Sequence, residues 1–188
     1  MKTKILYLIL FISTMIQAQT PSDTTMSTFI TAIDFKQEKQ ISYKANINEG
    51  KVLDDLSWAW SSNNACFPKT QKHKFTGKHV LFTGIIPAYS DVEITIIPTN
   101  PKDNLSVYVY QIHTDEDFVV PNLPHCVACE ADYKWDYQKK NRPKQKHIRK
   151  ISNIISLSNS YRIVIGVAGA DQLEESEFII IIKTKRVK

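Results

Sequence analysis

The sequence predicts an all-β protein, an antiparallel, jelly-roll-like β-sandwich of about seven to eight strands. The stretch from Phe75 to Ile112 holds three runs rich in β-branched and aromatic residues, and turn-forming residues separate these runs. Similar runs recur on both sides of this stretch at the intervals typical of a sandwich. No long stretch has the apolar period of an amphipathic helix.

The N-terminus has the pattern of a secretory signal peptide over residues 1–18. Lys2 and Lys4 precede the apolar run Ile5 to Ile12, and Ala18 provides a small residue before the predicted cleavage point. This run is too short to cross a hydrocarbon core of about 30 Å. We therefore expect a secreted or periplasmic protein with no membrane span after signal removal.

The rest of the chain has the size of one domain. Residues 19–27 are a polar, flexible lead-in, and residues 28–188 are predicted to form a single β-sandwich. Removal of the signal takes away two lysines and no acid, so the formal net charge of +5 falls by two to +3. The basic run between Asp132 and Lys150 is interpreted as a solvated loop or a lysine-protected edge strand, and no nucleic acid partner is expected.

The predicted strands follow one another along the chain with clear turn signals between them. Ile41, Tyr43 and Ala45 alternate with polar residues, which indicates a half-buried strand. Phe178 to Ile182 is apolar at every position, which predicts a central strand covered on both faces, or on one face plus a partner. The three runs between Phe75 and Ile112 are predicted to form the middle of one antiparallel sheet. The predicted strands are Thr28 to Phe35, Gln40 to Ile47, Lys78 to Thr83, Val92 to Ile97, Leu105 to Ile112, His147 to Leu157, Tyr161 to Val167 and Glu177 to Thr184.

Trp58 and Trp60 are candidate ligand-binding residues. Residues at i and i+2 share one face of a strand, so the two indoles could form a platform for a sugar ring. Burial of both side chains in the core is the alternative interpretation.

Asp115, Glu116 and Asp117 form an acidic loop that is a candidate calcium site. Calcium prefers carboxylate oxygens, and these three residues are consecutive. Calcium is the candidate cofactor at this loop.

The three cysteines, Cys66, Cys126 and Cys129, all lie after the signal, and an exported protein meets an oxidising compartment. A disulfide is the first interpretation. It would join Cys66 to one of the later pair, closing a loop of about sixty residues and stabilising by about 4 kcal/mol on the chain-entropy model. The other pairing is the local link between Cys126 and Cys129, and the odd count leaves one thiol over.

Two other uses of these thiols stay open. Cys126 and Cys129 have the spacing of a thioredoxin-like redox motif, and the same pair could bind zinc together with Cys66, His113 or His125. The redox motif would need a strand-to-helix setting, and zinc would need a second ligand pair; the sequence offers neither. No nucleophile elbow and no HExxH motif is present.

Several segments resemble a known family of small β-sandwiches. The matching segments are Ile86 to Ala88 ahead of Val92 to Ile96, Asn104 to Tyr110, Tyr161 to Val167, and Phe178 to Ile182. Together they resemble the pre-peptidase C-terminal domains of secreted bacterial peptidases. The segments DDLSWAWSSNNACFP, KFTGKHVLF, PNLPHCVACEADYKWDY and VIGVAGA look like a group of uncharacterised exported bacterial proteins. The resemblance implies a fold rather than an activity.

The leading hypothesis from the sequence is an exported, non-catalytic binding or accessory module. Its ligand would be an extracellular or envelope molecule, such as a polysaccharide, a peptide or another envelope protein. The alternative is a secreted hydrolase, or a thiol- or metal-dependent enzyme with its site near the Cys126/Cys129 loop. A third class, a structural role, predicts self-association through an exposed strand edge or the odd cysteine.

Overall fold

The computed structural model describes residues 30–53, 69–116, 126–132 and 147–187. These residues form an all-β sandwich of ten strands, which confirms the predicted fold class. The predicted number of strands, seven to eight, was too low because short strands carry little sequence signal. The strands are β1 (Ile30–Ala32), β2 (Gln40–Asn46), β3 (Lys51–Val52), β4 (Lys78–Ile86), β5 (Ser90–Pro98), β6 (Leu105–Ile112), β7 (Cys126–Glu130), β8 (Arg149–Ser156), β9 (Tyr161–Gly169) and β10 (Glu177–Arg186).

The strands are divided between two sheets. The first sheet has the order β1-β4-β9-β6-β7, with β3 paired to the same edge of β4 as β1. Pairing in this sheet is antiparallel except for β1, which runs parallel to β4. The second sheet, β2-β10-β5-β8, is antiparallel throughout. Within the described ranges, three 3₁₀ helices lie between strands: Ile47–Glu49, Lys69–Phe75 and Ala170–Gln172.

The placement of β4, β5 and β6 corrects a sequence-based prediction. The three strands do not form the middle of one sheet, because β5 belongs to the second sheet and β9 lies between β4 and β6. The chain crosses from one sheet to the other after β4 and again after β5. Alternate strands can then bury one apolar face each in the same core.

The main core lies between the two sheets. In β5 the side chains of Val92, Ile94 and Ile96 are fully buried, and the residues between them are only partly buried. Phe178, Ile180 and Ile182 of β10 are buried beside them in the same cluster. Period-two alternation in the sequence therefore corresponds directly to the inner and outer faces of this sheet.

A second buried cluster covers the outer face of the first sheet. It includes Phe75, Leu81, Tyr108, Tyr110 and Val164. Strands β6 and β9 are consequently buried on both faces.

For Phe178 to Ile182, the prediction was a central strand covered on both faces, or on one face plus a partner. That segment does form a central strand, but Ile179 and Ile181 on its outer face are only partly buried. Gly166 and Gly169 lie inside β9, although the sequence suggested that the strand ends at Val167. No helix long and apolar enough to span a membrane occurs in the described ranges.

Candidate functional site

An exposed apolar patch lies where the turn after β4 meets the turn after β8. The Tyr89 amide donates a hydrogen bond of 2.6 Å to the Leu157 carbonyl and so joins the two turns. The side chain of Leu157 is 61% exposed and that of Tyr89 is 52% exposed. Val127 of β7 and Ile155 of β8, each 46% exposed, lie in the same region. Tyr89, Val127, Ile155 and Leu157 are called the apolar patch below.

A groove of about 400 Å³ runs between the edge strands of the two sheets, β7 and β8. The Gln111 side chain bridges the sheets by donating a hydrogen bond of 3.2 Å to the Ile155 carbonyl. The groove is lined by Gln111, Val127, Ile155, Leu157, Ser158, Asn159 and Tyr161. These side chains are amides, hydroxyls and apolar groups.

A β-bulge in β8 turns Ile155 toward solvent. The pairing with β5 shifts register between Val92 and Ile94, and Asn153 has a left-handed backbone with a φ of 63°. Ile151 and Ile155 would share one face of a regular strand, because they are four residues apart. The extra residue instead buries Ile154 and exposes Ile155. The bulge therefore supplies part of the apolar patch.

The turn that presents Tyr89 is held in a strained conformation. Tyr89 has a φ of 57°, a region that non-glycine residues occupy at a cost of order 1 kcal/mol or more. The Val187 amide donates to the Tyr89 carbonyl at 2.8 Å, and the Gln37 side chain donates to the Ala88 carbonyl at 2.6 Å. These bonds fix the backbone while the tyrosine ring stays half exposed.

A buried histidine and tyrosine lie in the second cluster. His79 Nε2 is 2.8 Å from the Phe75 carbonyl, and Nδ1 is 2.9 Å from the Tyr108 hydroxyl. The carbonyl can only accept, so Nε2 carries the hydrogen and Nδ1 accepts from the tyrosine. Burial lowers the pKa of His79 to about 4 and raises that of Tyr108. Both groups are inaccessible to a substrate, and their role is structural.

Buried charges gather near β8 and the 3₁₀ helix Lys69–Phe75. The Lys74 ammonium lies 3.7 Å from the Asp132 carboxylate and 4.0 Å from that of Asp171. Arg149 donates to the Leu105 carbonyl at 2.8 Å and to the Asn104 side chain at 2.9 Å. The bonds of Arg149 connect β8 to the start of β6, and the ion pair of Lys74 connects the 3₁₀ helix to Asp132 after β7.

His147 lies beside this group of charges. Its Nδ1 is 3.2 Å from the Arg149 guanidinium. Burial, with the charge of Arg149 as a smaller cause, lowers the pKa of His147.

The acidic loop is an exposed turn after β6. The His113 amide donates to Glu116 at 3.0 Å, and the His113 ring contacts the Asp115 carboxylate. The hydrogen bond between the His113 ring and the Asp115 carboxylate holds the pKa of Asp115 below its ordinary value. The described part of the chain contains no group of three or more potential metal-ligating His, Cys, Asp or Glu side chains. Asp117 lies outside that part, and the calcium site stays a prediction.

The cysteines and tryptophans are only partly covered by the described ranges. Cys66, Trp58, Trp60 and His125 lie outside them. Cys126 and Cys129 belong to β7, which was expected to be a loop. The local link between Cys126 and Cys129 stays a prediction. A bridge from Cys66 to either residue stays a prediction.

The apolar patch was not among the residues singled out from the sequence. Tyr89 was placed in a turn and Leu157 at the end of a strand, with no role for either. An aromatic residue in a turn and two adjacent apolar residues, Ile154 and Ile155, in an otherwise alternating strand are the signals that could have indicated exposure.

Comparisons with known proteins show similarity only at the level of the fold. The chain matches no protein-family model, and no curated protein matches it in sequence. The resemblance to pre-peptidase C-terminal domains therefore stays a prediction. Among solved structures, the chain is similar to the crystal structure of Aeromonas hydrophila PliG, a periplasmic lysozyme inhibitor of g-type lysozyme. The identity is 7% and the TM-score 0.43, over 82% of this chain and 95% of that chain. We draw no functional conclusion from so distant a likeness.

Proposed function

We propose that this chain is an exported, non-catalytic binding protein that takes a protein or peptide partner at the apolar patch. The observation that carries the proposal is that three exposed apolar side chains, Val127, Ile155 and Leu157, line one groove. The half-exposed Tyr89 adjoins them through its backbone hydrogen bond to Leu157. Isolated exposed apolar residues are ordinary on protein surfaces, whereas a contiguous group marks an interaction site.

The composition of the patch favours a polypeptide over a sugar. Sugar rings stack on flat aromatic platforms, and three of the four patch residues are aliphatic. Burial of one such side chain by a partner contributes about 1.5–3 kcal/mol. The half-exposed Tyr89 adds a residue type enriched at the energetic centres of interfaces, and its backbone is already fixed before binding.

The chemistry of the groove supports a binding role over catalysis. A hydrolase needs a general acid, a base or a metal beside its substrate, and the lining side chains are amides, hydroxyls and apolar groups. His79 and Lys74, which have the chemistry for proton transfer, are buried and bonded within the fold. Export is supported by the signal-like pattern of residues 1–18.

A display selection for peptides that bind the purified mature chain tests this proposal. Selected peptides are measured by calorimetry against the wild type, Leu157→Asp and Val52→Asp. Val52 is a matched control because it is 55% exposed and lies on β3, away from the patch. Leu157→Asp should weaken binding at least tenfold, since it places a charge where the partner buries an apolar group, and Val52→Asp should leave binding unchanged.

Two results would overturn the proposal. One is a selection that yields no peptide binder. The other is a set of peptides that bind Leu157→Asp and Val52→Asp with the same affinity. An activity on a polysaccharide or peptide that is lost after alkylation of Cys126 and Cys129 would favour the alternative, a thiol-dependent enzyme.

A further inference from the structure

Among the strands of the described residues, β2 has the longest edge without a break in register. In the described residues, the first sheet ends at β1 with β3 on one side and at β7 on the other, and the second sheet ends at β2 and β8. Strands β1 and β3 have three and two residues. Strand β7 has five residues and an irregular register, and β8 carries the bulge at Asn153 and an exposed Lys150. Shortness, bulges and lysines are the devices that discourage edge pairing.

Strand β2 is neither short nor bulged. It pairs with β10 in one continuous register from Asn46 to Gln40, and it contains no proline. Of the three protective devices it has only a single exposed lysine, Lys44. A regular seven-residue strand with one open side is a template for another strand.

The hydrogen-bond pattern identifies which backbone groups face the open side. The Lys39 carbonyl accepts from Thr184, and the Ile47 amide donates to Ser176, so the odd-numbered residues of this segment face β10. Backbone groups of consecutive residues in a strand point to opposite sides. The N–H and C=O groups of Gln40, Ser42 and Lys44 therefore point toward the open edge.

The main core is also incompletely closed along this strand. Ile41, Tyr43 and Ala45 pack against the core but stay partly exposed, whereas the inner side chains of the neighbouring strand β10 are almost fully buried. A strand added beside β2 would cover the exposed part of these side chains and extend the core.

We propose that a second copy of this chain occupies this edge, with the two β2 strands antiparallel and Ser42 opposite Ser42 of the second copy. In this register Gln40 of each copy lies opposite Lys44 of the other copy. Each of these two pairs exchanges two backbone N–H···O bonds. On the inner face Ile41 lies opposite Tyr43 of the second copy, and pairs of a β-branched and an aromatic residue stabilise sheets. The two four-stranded sheets become one continuous sheet.

Charge disfavours one alternative register. A shift that centres the pairing on Lys44 places the two ammonium groups opposite each other, which is unfavourable. With Ser42 at the centre, each Lys44 faces a neutral glutamine. The strand is thus complementary to itself, which is the reason for naming a second copy as the occupant. The interface lies at the opposite edge of the second sheet from β8, so it does not depend on the apolar patch.

Sedimentation velocity of the mature chain at about 5 to 100 µM tests the proposal, together with Ser42→Pro and Gln40→Lys. Proline removes an N–H that points away from β10, so the fold keeps its own ladder and only the junction loses hydrogen bonds. Gln40→Lys places an ammonium opposite Lys44 of the second copy. We expect a dimer for the wild type and at least tenfold weaker association for both variants, with thermal unfolding showing that each variant is folded.

A cysteine cross-link tests the register. Residues in a hydrogen-bonded antiparallel pair have Cα atoms about 5.5 Å apart, within reach of a disulfide. Ser42→Cys should therefore give a reducible covalent dimer, and Lys44→Cys should not, because its counterpart lies about 13 Å away. The unsubstituted chain, with its native cysteines, is the control. A wild type that stays monomeric at 100 µM, or a dimer unaffected by both junction variants, would overturn the proposal.

Discussion

The Tyr108 hydroxyl donates a 2.9 Å hydrogen bond to Nδ1 of His79 across the intervening strand β9. The two residues belong to β6 and β4, and Gly166 of β9 faces Tyr108 in the ladder between them. A Cβ atom at Gly166 would overlap the Tyr108 ring. Because glycine has no side chain, position 166 leaves the space through which the Tyr108 ring reaches His79. Four predictions concern this contact and the buried charges.

The first prediction is a loss of stability in mild acid. The pKa of His79 falls from 6.5 to about 4 on folding, so between these pH values the unfolded chain binds more protons than the folded chain. The stabilisation is complete above pH 6.5 and decreases as the pH falls toward 4, by about 3 kcal/mol for this one group. Urea unfolding between pH 4 and 7 measures it. In His79→Gln, whose amide can replace both hydrogen bonds without titrating, the slope of stability against pH should be shallower by about one proton; an unchanged slope would contradict the assignment.

The second prediction concerns the hydroxyl group. Tyr108→Phe should destabilise the protein by about 1–3 kcal/mol, because Nδ1 of the buried histidine loses its donor. Chemical denaturation at pH 7 measures the change. Tyr89→Phe removes a hydroxyl from a half-exposed ring and should change stability by less than about 0.5 kcal/mol. Equal losses of stability in the two variants would show that the contact with His79 does not contribute to the stability of the fold.

The third prediction concerns Gly166. Its backbone is ordinary extended strand, so the requirement is for space and not for a special conformation. Gly166→Ala should cost more than about 2 kcal/mol in the wild type, because the ring or the strand must move. In a Tyr108→Ala background the same change should cost much less. A double-mutant cycle measures this coupling, and additive effects would mean that the alanine disturbs something other than the tyrosine.

The fourth prediction separates a buried ion pair from an exposed one. Lys74→Met should destabilise by about 3 kcal/mol or more, because the buried Asp132 carboxylate loses the ammonium 3.7 Å away. Asp171→Asn removes the exposed partner at 4.0 Å and should cost less than about 1 kcal/mol. Asparagine also suits the left-handed backbone at this position. Thermal unfolding at matched pH compares the variants, and the reverse ranking would refute the electrostatic argument.

Local patterns in the sequence predict individual strands, whereas pairing between distant strands has no local signal. Alternation in β2 and the β-branched content of β5 allowed the existence and approximate bounds of these strands to be predicted. Cys126–Glu130 was expected to be a loop because it follows the proline-rich segment Pro121 to Pro124, yet pairing with β6 makes it a strand. The apolar patch was missed because Ile155 is exposed by a bulge, and one residue of register shift moves a side chain to the other face.

By itself, the sequence determined the fold class, most of the strands and their inner faces, because steric preference and side-chain alternation are local properties of the chain. The tertiary structure alone decided which strands share a sheet, which histidine is buried and neutral, and which edge stays open. These features depend on contacts between residues far apart in the sequence, as His79 and Tyr108 illustrate, and such contacts leave no local pattern.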